Sequence, residues 1–169
     1  MSSGAARKGP VAQLGLIIAF AVFLVDRVSK YVMLEHVDII HRTPIEVTPF
    51  FNLVMVWNTG VSCGLFGEAG ARWFLVGLAA VISIGLIIWL WQVADRFIAI
   101  ALGLVIGGAL GNMWDRAQWG AVADFFDFHV AGWHFWAFNV ADSGISIGVA
   151  MLLWDGFFRS PSSSGDDGA

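Results

Sequence analysis

Four long apolar segments limit what this chain can fold into: roughly Val11–Lys30, Ala71–Trp91, Phe97–Trp114 and Phe135–Phe158. About 20 helical residues cross the hydrocarbon core of a bilayer, so each segment is long enough to span it. A soluble domain needs polar surface that this chain cannot supply, because 58% of its residues are hydrophobic and only 13% are charged. The segments therefore predict a membrane protein of four helical spans. Val11–Val25 alone would cover only about 22 Å at 1.5 Å per residue. The first helix must then run on through Asp26 and Lys30, which brings those charges to the membrane boundary. They stand four residues apart, share a helix face and can pair.

Composition narrows the function classes. Nine Trp and fourteen Phe suit interfacial belts and lipid-facing surface. A formal net charge of −4 argues against nucleic acid as a partner. The single cysteine, Cys63, excludes an internal disulfide and a cysteine metal cluster. The four histidines lack a metal-ligand spacing such as HExxH, and no metal or cofactor is expected. The N-terminal apolar run leads into Asp26-Arg27-Val28-Ser29-Lys30 without a small-x-small cleavage site, so it reads as a retained first span. Residues 1–158 are expected to form one integral membrane domain. The tail 159–169 is Ser/Gly/Asp-rich and is expected to be disordered.

Between the first two spans, Glu35–Gly70 holds Pro44, Pro49 and a β-like run from Phe51 to Trp57, closed by Asn58-Thr59-Gly60. This segment predicts a small sheet resting on the membrane surface. The short link Gln92–Arg96 makes the second and third spans antiparallel neighbours. Gly103, Gly107 and Gly111 recur every four residues, a surface that permits close helix packing. Four spans put both termini on one side. Lys and Arg are almost evenly divided between the two sides, with a slight preference for termini inside.

The polar residues gather at the ends of the third and fourth spans. Asn112, Asp115 and Arg116 have i, i+3, i+4 spacing on one helix face with Gly108. Asp115 beside Arg116 reads either as a self-neutralising structural pair or as part of the chemistry. Asp124 lies in a short aromatic and acidic segment that is expected to lie flat at the interface. Asp127, next along, reads as an ordinary solvated carboxylate. Asn139, Asp142 and Ser146 form a polar stripe where the fourth span begins. A bare carboxylate there is strongly disfavoured, so Asp142 needs a partner or a raised pKa. If Asp124 and Asp142 meet at a partly dry site, they would tend to share a proton. One could then act as base and the other as acid, activating water for attack on an amide. Spacing alone leaves their meeting open.

At these residues the chain closely resembles the lipoprotein signal peptidase (signal peptidase II) family. The matching blocks are Asp26-Arg27-Val28-Ser29-Lys30, Asn58-Thr59-Gly60, Gly107 to Asn112 with Asp115-Arg116, Gly120 with Val122-Ala123-Asp124-Phe125, and Phe138 to Asp142. Each block alone is weak, but five in order across a four-span chain are specific. The resemblance implies an all-α membrane protein: four transmembrane helices, a small periplasmic β-cradle and an interfacial amphipathic helix, features that fit Phe51–Gly60 and the region near Asp124. It implies an aspartyl endopeptidase of the bacterial inner membrane, with its site at the periplasmic face. Such enzymes remove the signal peptide from diacylglyceryl-modified prolipoproteins, cutting just before the lipidated cysteine. The family's catalytic aspartates fall on Asp124 and Asp142. Its supporting or substrate-binding positions fall on Asp26, Lys30, Asn58, Gly60, Asn112, Asp115, Arg116 and Asn139. The expected partners are the lipidated precursor and membrane lipid, and the enzyme is expected to act as a monomer. Val61-Ser62-Cys63 departs from the small residues and aromatic that many members carry after the Asn-Thr-Gly turn.

Three other readings fit less of the sequence. A proton-coupled carrier would place charges deeper in several spans and show repeat symmetry. A metal-dependent lipid phosphotransferase would use Asp115, Asp124 and Asp127 on Mg²⁺, but a DxxDG motif of that class is missing. A structural subunit leaves the polar stripe unexplained.

Overall fold

The computed structural model describes residues 3–60 and 67–159. The tail from Ser160 and the Val61-Ser62-Cys63 departure lie outside the described residues. Helix α1 (Ser3–Tyr31) runs into a wider turn over Val32–His36, followed by the short α2 (Ile39–Arg42). Strands β1 (Ile45–Thr48) and β2 (Phe51–Asn58) come next, then helices α3 (Gly67–Leu90) and α4 (Arg96–Trp119). The chain continues through β3 (Val122–Val130), β4 (Trp133–His134) and α5 (Val140–Trp154), and the described residues end in a wide turn at Arg159.

Four helical stretches are long and apolar enough to cross a membrane: Gly9–His36, Gly70–Leu90, Arg96–Trp119 and Val140–Arg159. The chain is a multi-pass membrane protein. The fourth span starts later than its hydropathy suggests, because Phe138 pairs with β3 and Asn139 caps the helix. Large apolar side chains such as Ile17, Phe20, Val81 and Ile84 lie on the outside, where a bilayer rather than water would meet them. Half of the α4 window is buried against only 11% of the α3 window, so α4 is the central helix. Asp95 starts α4 by accepting hydrogen bonds from the Phe97 and Ile98 N–H groups at 2.6 and 3.4 Å.

Lipid tails are as apolar as leucine, so helices in a membrane associate through close packing rather than by escaping water. Glycines on α4 supply that closeness on two faces. A Cβ on Gly103 or Gly107 would run into the Gly15 or Ala19 carbonyl of α1, and one on Gly108 into the Ala141 carbonyl of α5. Gly111 leaves room for the Asp26 carboxylate, which a Cβ there would meet at 2.7 Å. The glycine stripe thus brings α1 and α5 onto α4 and makes space for a buried acid.

The sheet has the order β1-β2-β3-β4, with antiparallel neighbours throughout. Phe51 faces Phe128 and Asn58 faces Val122 across β2 and β3, with a bulge between Leu53 and Val56. This sheet is the small cradle expected from the Phe51–Trp57 run. The expectation of an interfacial segment around Asp124 is corrected, because Val122–Val130 is a strand paired along its length with β2. Its residues from Val122 to Phe125 are all buried, and exposure is confined to its far end, at Phe128 and Val130. Among the described residues, the short helical piece outside the spans is α2.

Helices α3 and α4 carry two kinds of glycine. Gly85 on α3 has nothing within 4 Å of a built Cβ, whereas Gly107 meets backbone. Gly107→Leu should lower the unfolding temperature in detergent, consistent with overpacking costs of about 1–3 kcal/mol or more. Gly85→Leu should leave it nearly unchanged. Equal effects from the two would remove the glycine stripe as the packing determinant.

Candidate active site

The end of α4, the start of β3 and the start of α5 meet at one end of the bundle. Gly120, at φ +82°, ends α4 and turns the chain into β3, placing Asp124 beside the last turn of the helix. Asn139 stands just before α5 and caps it. Its side-chain oxygen accepts from the Asp142 N–H at 3.0 Å, while the Asp142 carboxylate accepts from the Asn139 N–H at 3.2 Å. This reciprocal cap satisfies two otherwise orphaned donors and orients the Asp142 side chain through local structure. The polar stripe thus stops at Asp142: Asn139 lies outside the helix, and Ser146 lies exposed on its outer face.

Two asparagines link the two acids. Asn139 donates to Asp124 Oδ1 at 2.6 Å, and Asn112 donates to Asp142 Oδ1 at 2.7 Å. Asn139 also donates to Asn112 Oδ1 at 3.3 Å, so the four side chains form one network. Asn58 donates to the second Asp124 oxygen at 3.0 Å. The Gly60 N–H donates to Asn58 Oδ1 at 2.9 Å, which turns the Asn58 amide nitrogen towards Asp124. Gly60 itself has φ +76°, and the Arg116 guanidinium lies against its bare Cα.

Below this pair lies a buried cluster of four charges. Asp26, Lys30 and Asp115 are almost fully buried, and Arg27 is largely so. Lys30 pairs with Asp26 at 3.0 Å, as their i, i+4 spacing predicts, and also with Asp115. Arg27 bridges Asp26 at 2.6 Å and Asp115 across the bundle. Asp115 is thus not paired with its neighbour Arg116. Arg116 donates to the Asn112 carbonyl at 3.4 Å and lies within electrostatic reach of Asp142, Asp124 and Asp115. The cluster also grips the backbone. Asp115 accepts from the Ala123 N–H at 3.3 Å, and Asp26 accepts from the Ala141 N–H at 3.1 Å. Each buried acid therefore holds the residue immediately before one of the two aspartates above.

All ten residues singled out at this site from the sequence come together here: Asp26, Lys30, Asn58, Gly60, Asn112, Asp115, Arg116, Asp124, Asn139 and Asp142. Arg27 was missed as part of it, although it sits in the same charged run. Asp127 is corrected. It is buried rather than solvated, accepting from Asn52 at 3.3 Å and pairing with His134 at 2.9 Å.

The environment of Asp124 perturbs its acidity. Burial and the nearby Asp142 charge push it up, against lowering hydrogen bonds from Asn58 and Asn139 and the Lys30 charge, to about 6. A carboxyl group in that range exchanges protons near neutral pH. A pair of acids cross-linked in this way can share a proton, with one taking it from water and the other donating.

A family model described as signal peptidase (SPase) II matches residues 18–158. The chain is 41% identical over 155 residues to the lipoprotein signal peptidase of Methylorubrum extorquens, covering 90% of this chain and 91% of that one. It is 45% identical over 143 residues to that of Rhizorhabdus wittichii, covering 83% of each. Among solved structures it is similar to a bacterial membrane enzyme obtained by the in meso method, with a TM-score of 0.76. That likeness carries 32% identity and covers 86% of this chain and 94% of the other.

The folded-state pKa of Asp124 lies above its ordinary value of 3.8, so the folded protein holds this proton longer than the unfolded chain. The stability tied to that proton is complete below pH 3.8 and is lost as pH rises through about 6. The unfolding temperature of Asp124→Asn minus that of the parent should therefore rise between pH 4 and 7; a flat difference would contradict the raised pKa. Asp115→Asn should lower folded yield and unfolding temperature, since breaking a buried charge network costs about 3–5 kcal/mol. A stable Asp115→Asn protein would show that the cluster does not brace the fold.

Proposed function

The chain belongs to the signal peptidase II family, and on that premise we propose that Asp124 and Asp142 are its catalytic pair. It is a membrane aspartic peptidase that processes prolipoproteins. The observation that carries the assignment is the Asn139–Asn112 linkage, which ties both carboxylates into one hydrogen-bonded unit.

In the reading we favour, a water sits between the two acids. One carboxylate takes a proton from this water as its oxygen attacks the scissile carbonyl carbon. The other, protonated, hydrogen-bonds the carbonyl oxygen and stabilises the tetrahedral intermediate. When the C–N bond breaks, a proton passes to the departing amine and the pair returns to its starting charge. Arg116, within electrostatic reach of both acids, offsets negative charge that develops there. Asn58, Asn112 and Asn139 position the carboxylates. Asp26, Lys30 and Asp115 position the backbone that carries them.

The substrate is a prolipoprotein whose cysteine carries diacylglycerol, and the cut falls just before that cysteine. Membrane lipid surrounds the bound acyl chains, which hold the peptide so that the reacting bond enters the pair. The enzyme works as a monomer in the bacterial inner membrane. Its termini face the cytoplasm, and the sheet and the aspartates face the periplasm. Four spans and the site's place at the end of α4 and the start of α5 support this arrangement.

The test is cleavage of a diacylglyceryl-modified precursor by purified variants. Asp124→Asn and Asp142→Asn should each stay folded, bind the precursor and lose at least about a thousandfold in turnover. Because the pair acts as a unit, the double variant should be little worse than either single one. Substantial cleavage by either folded single variant would overturn the assignment.

A further inference from the structure

A cavity of about 500 Å³ opens beside Asp124. The end of β2, from Trp57 to Gly60, forms one wall, and Trp136 with Ala137 forms the other. The two walls differ in how they are held. Trp57 packs edge-on against Trp119 at 5.6 Å. Trp136 is 85% exposed, the most exposed of the large apolar side chains in the described residues.

The segment carrying Trp136 is fixed at both ends. The Phe135 N–H donates to the Phe128 carbonyl at 2.7 Å, and His134 is held by Asp127 at 2.9 Å. On the other side, Phe138 exchanges hydrogen bonds with Phe126 at 2.8 and 3.1 Å. Between these anchors, the main chains of Trp136 and Ala137 make no hydrogen bond among the described residues. The result is a short segment held at both ends beside the cavity, with main-chain donors and acceptors left unpaired among the described residues. Such a segment can pair with an extended peptide through main-chain bonds, while side-chain pockets set preference.

We infer that this cavity is a subsite for the substrate segment that follows the lipidated cysteine, with Trp136 setting its side-chain preference. The inference rests on the peptidase reading above. Its direction comes from the position of the walls. Every one of them lies outside the four spans, since α4 ends at Trp119 and α5 begins at Val140. The apolar signal segment and the acyl chains of the substrate belong in the bilayer. With the cut at the membrane boundary, the part of the substrate that reaches the sheet is the chain beyond the cysteine. Two indoles flank the cavity and its one charged wall residue is the acid Asp124, so it favours apolar side chains and disfavours acidic ones.

The test uses the full chain and diacylglyceryl-modified peptides that are identical through the cysteine. One series carries Leu-Val after the cysteine, another Gly-Gly and a third Asp-Asp. The parent enzyme should prefer Leu-Val over Gly-Gly by about tenfold in kcat/KM, mostly through KM, and should cleave Asp-Asp worst. Trp136→Ala should reduce that ratio at least about fivefold, and Trp136→Phe should keep most of it. The inference is overturned if Trp136→Ala leaves the ratio unchanged. Asp124→Asn is run alongside. If it still cleaves, the peptidase assignment fails; if it is inactive while Trp136→Ala keeps the parent's ratio, only the subsite fails.

Discussion

Asp26, Arg27, Lys30 and Asp115 are two acids and two bases buried together between helices α1 and α4, and the geometry of the site hangs on that cluster. Burying a single ion costs several kcal/mol even after relaxation, so such groups persist only when paired and hydrogen-bonded. Here the pairing is mutual. Each base contacts both acids, and the spare carboxylate capacity goes to the Ala123 and Ala141 N–H groups. These two backbone donors come from different elements, β3 and α5. One compact charge network thereby fixes the spacing between a strand and a helix, and with it the spacing of Asp124 and Asp142.

The rest of the bundle makes the cluster possible. Without the small residues of α4, α1 could not approach closely enough for Lys30 and Arg27 to reach Asp115. Gly107 admits the α1 backbone, Gly108 admits α5, and Gly111 leaves the space that the Asp26 carboxylate fills. The asparagines then act one layer further out. Asn139 serves three purposes at once: it caps α5, holds Asp124 and contacts Asn112. Replacing it would loosen a helix terminus as well as the acids, so local folding and site geometry are hard to separate at that position.

What was legible in the sequence follows the range of each interaction. The spans were legible because apolar length is set by bilayer thickness. The Asp26–Lys30 pair was legible because four residues make one helical turn. Asp115 was ambiguous because its partner Arg27 lies 88 residues away, which no local spacing reveals. Asp127 was misread for the same reason: His134 meets it only after the β3–β4 hairpin closes. Hydropathy also placed the fourth span too early, since Phe135, Trp136 and Phe138 are as apolar in a strand or loop as in a helix. A helical period likewise counted Asn139 into a stripe on α5, although a cap stands outside the helix it starts. The resemblance to a known family supplied what local patterns could not, namely that Asp124 and Asp142 belong together.

Stability and chemistry pull in opposite directions at Asp124 and in the same direction at Asp26 and Asp115. Buried beside another acid, Asp124 has its pKa pushed up to about 6, so its ionised form weighs against the fold at neutral pH. That penalty is the physical counterpart of a carboxyl group able to exchange a proton near neutrality. A looser site would relieve it by letting in water or by letting the two acids drift apart. The hydrogen bonds from Asn58 and Asn139 oppose such drift directly, and the charge cluster opposes it through the backbone at Ala123 and Ala141. The buried ion pairs are therefore best understood as holding a strained pair of acids in register, rather than as a source of net stability. This is why a membrane helix of otherwise apolar character carries three charged residues, Asp26, Arg27 and Lys30, within its last turns.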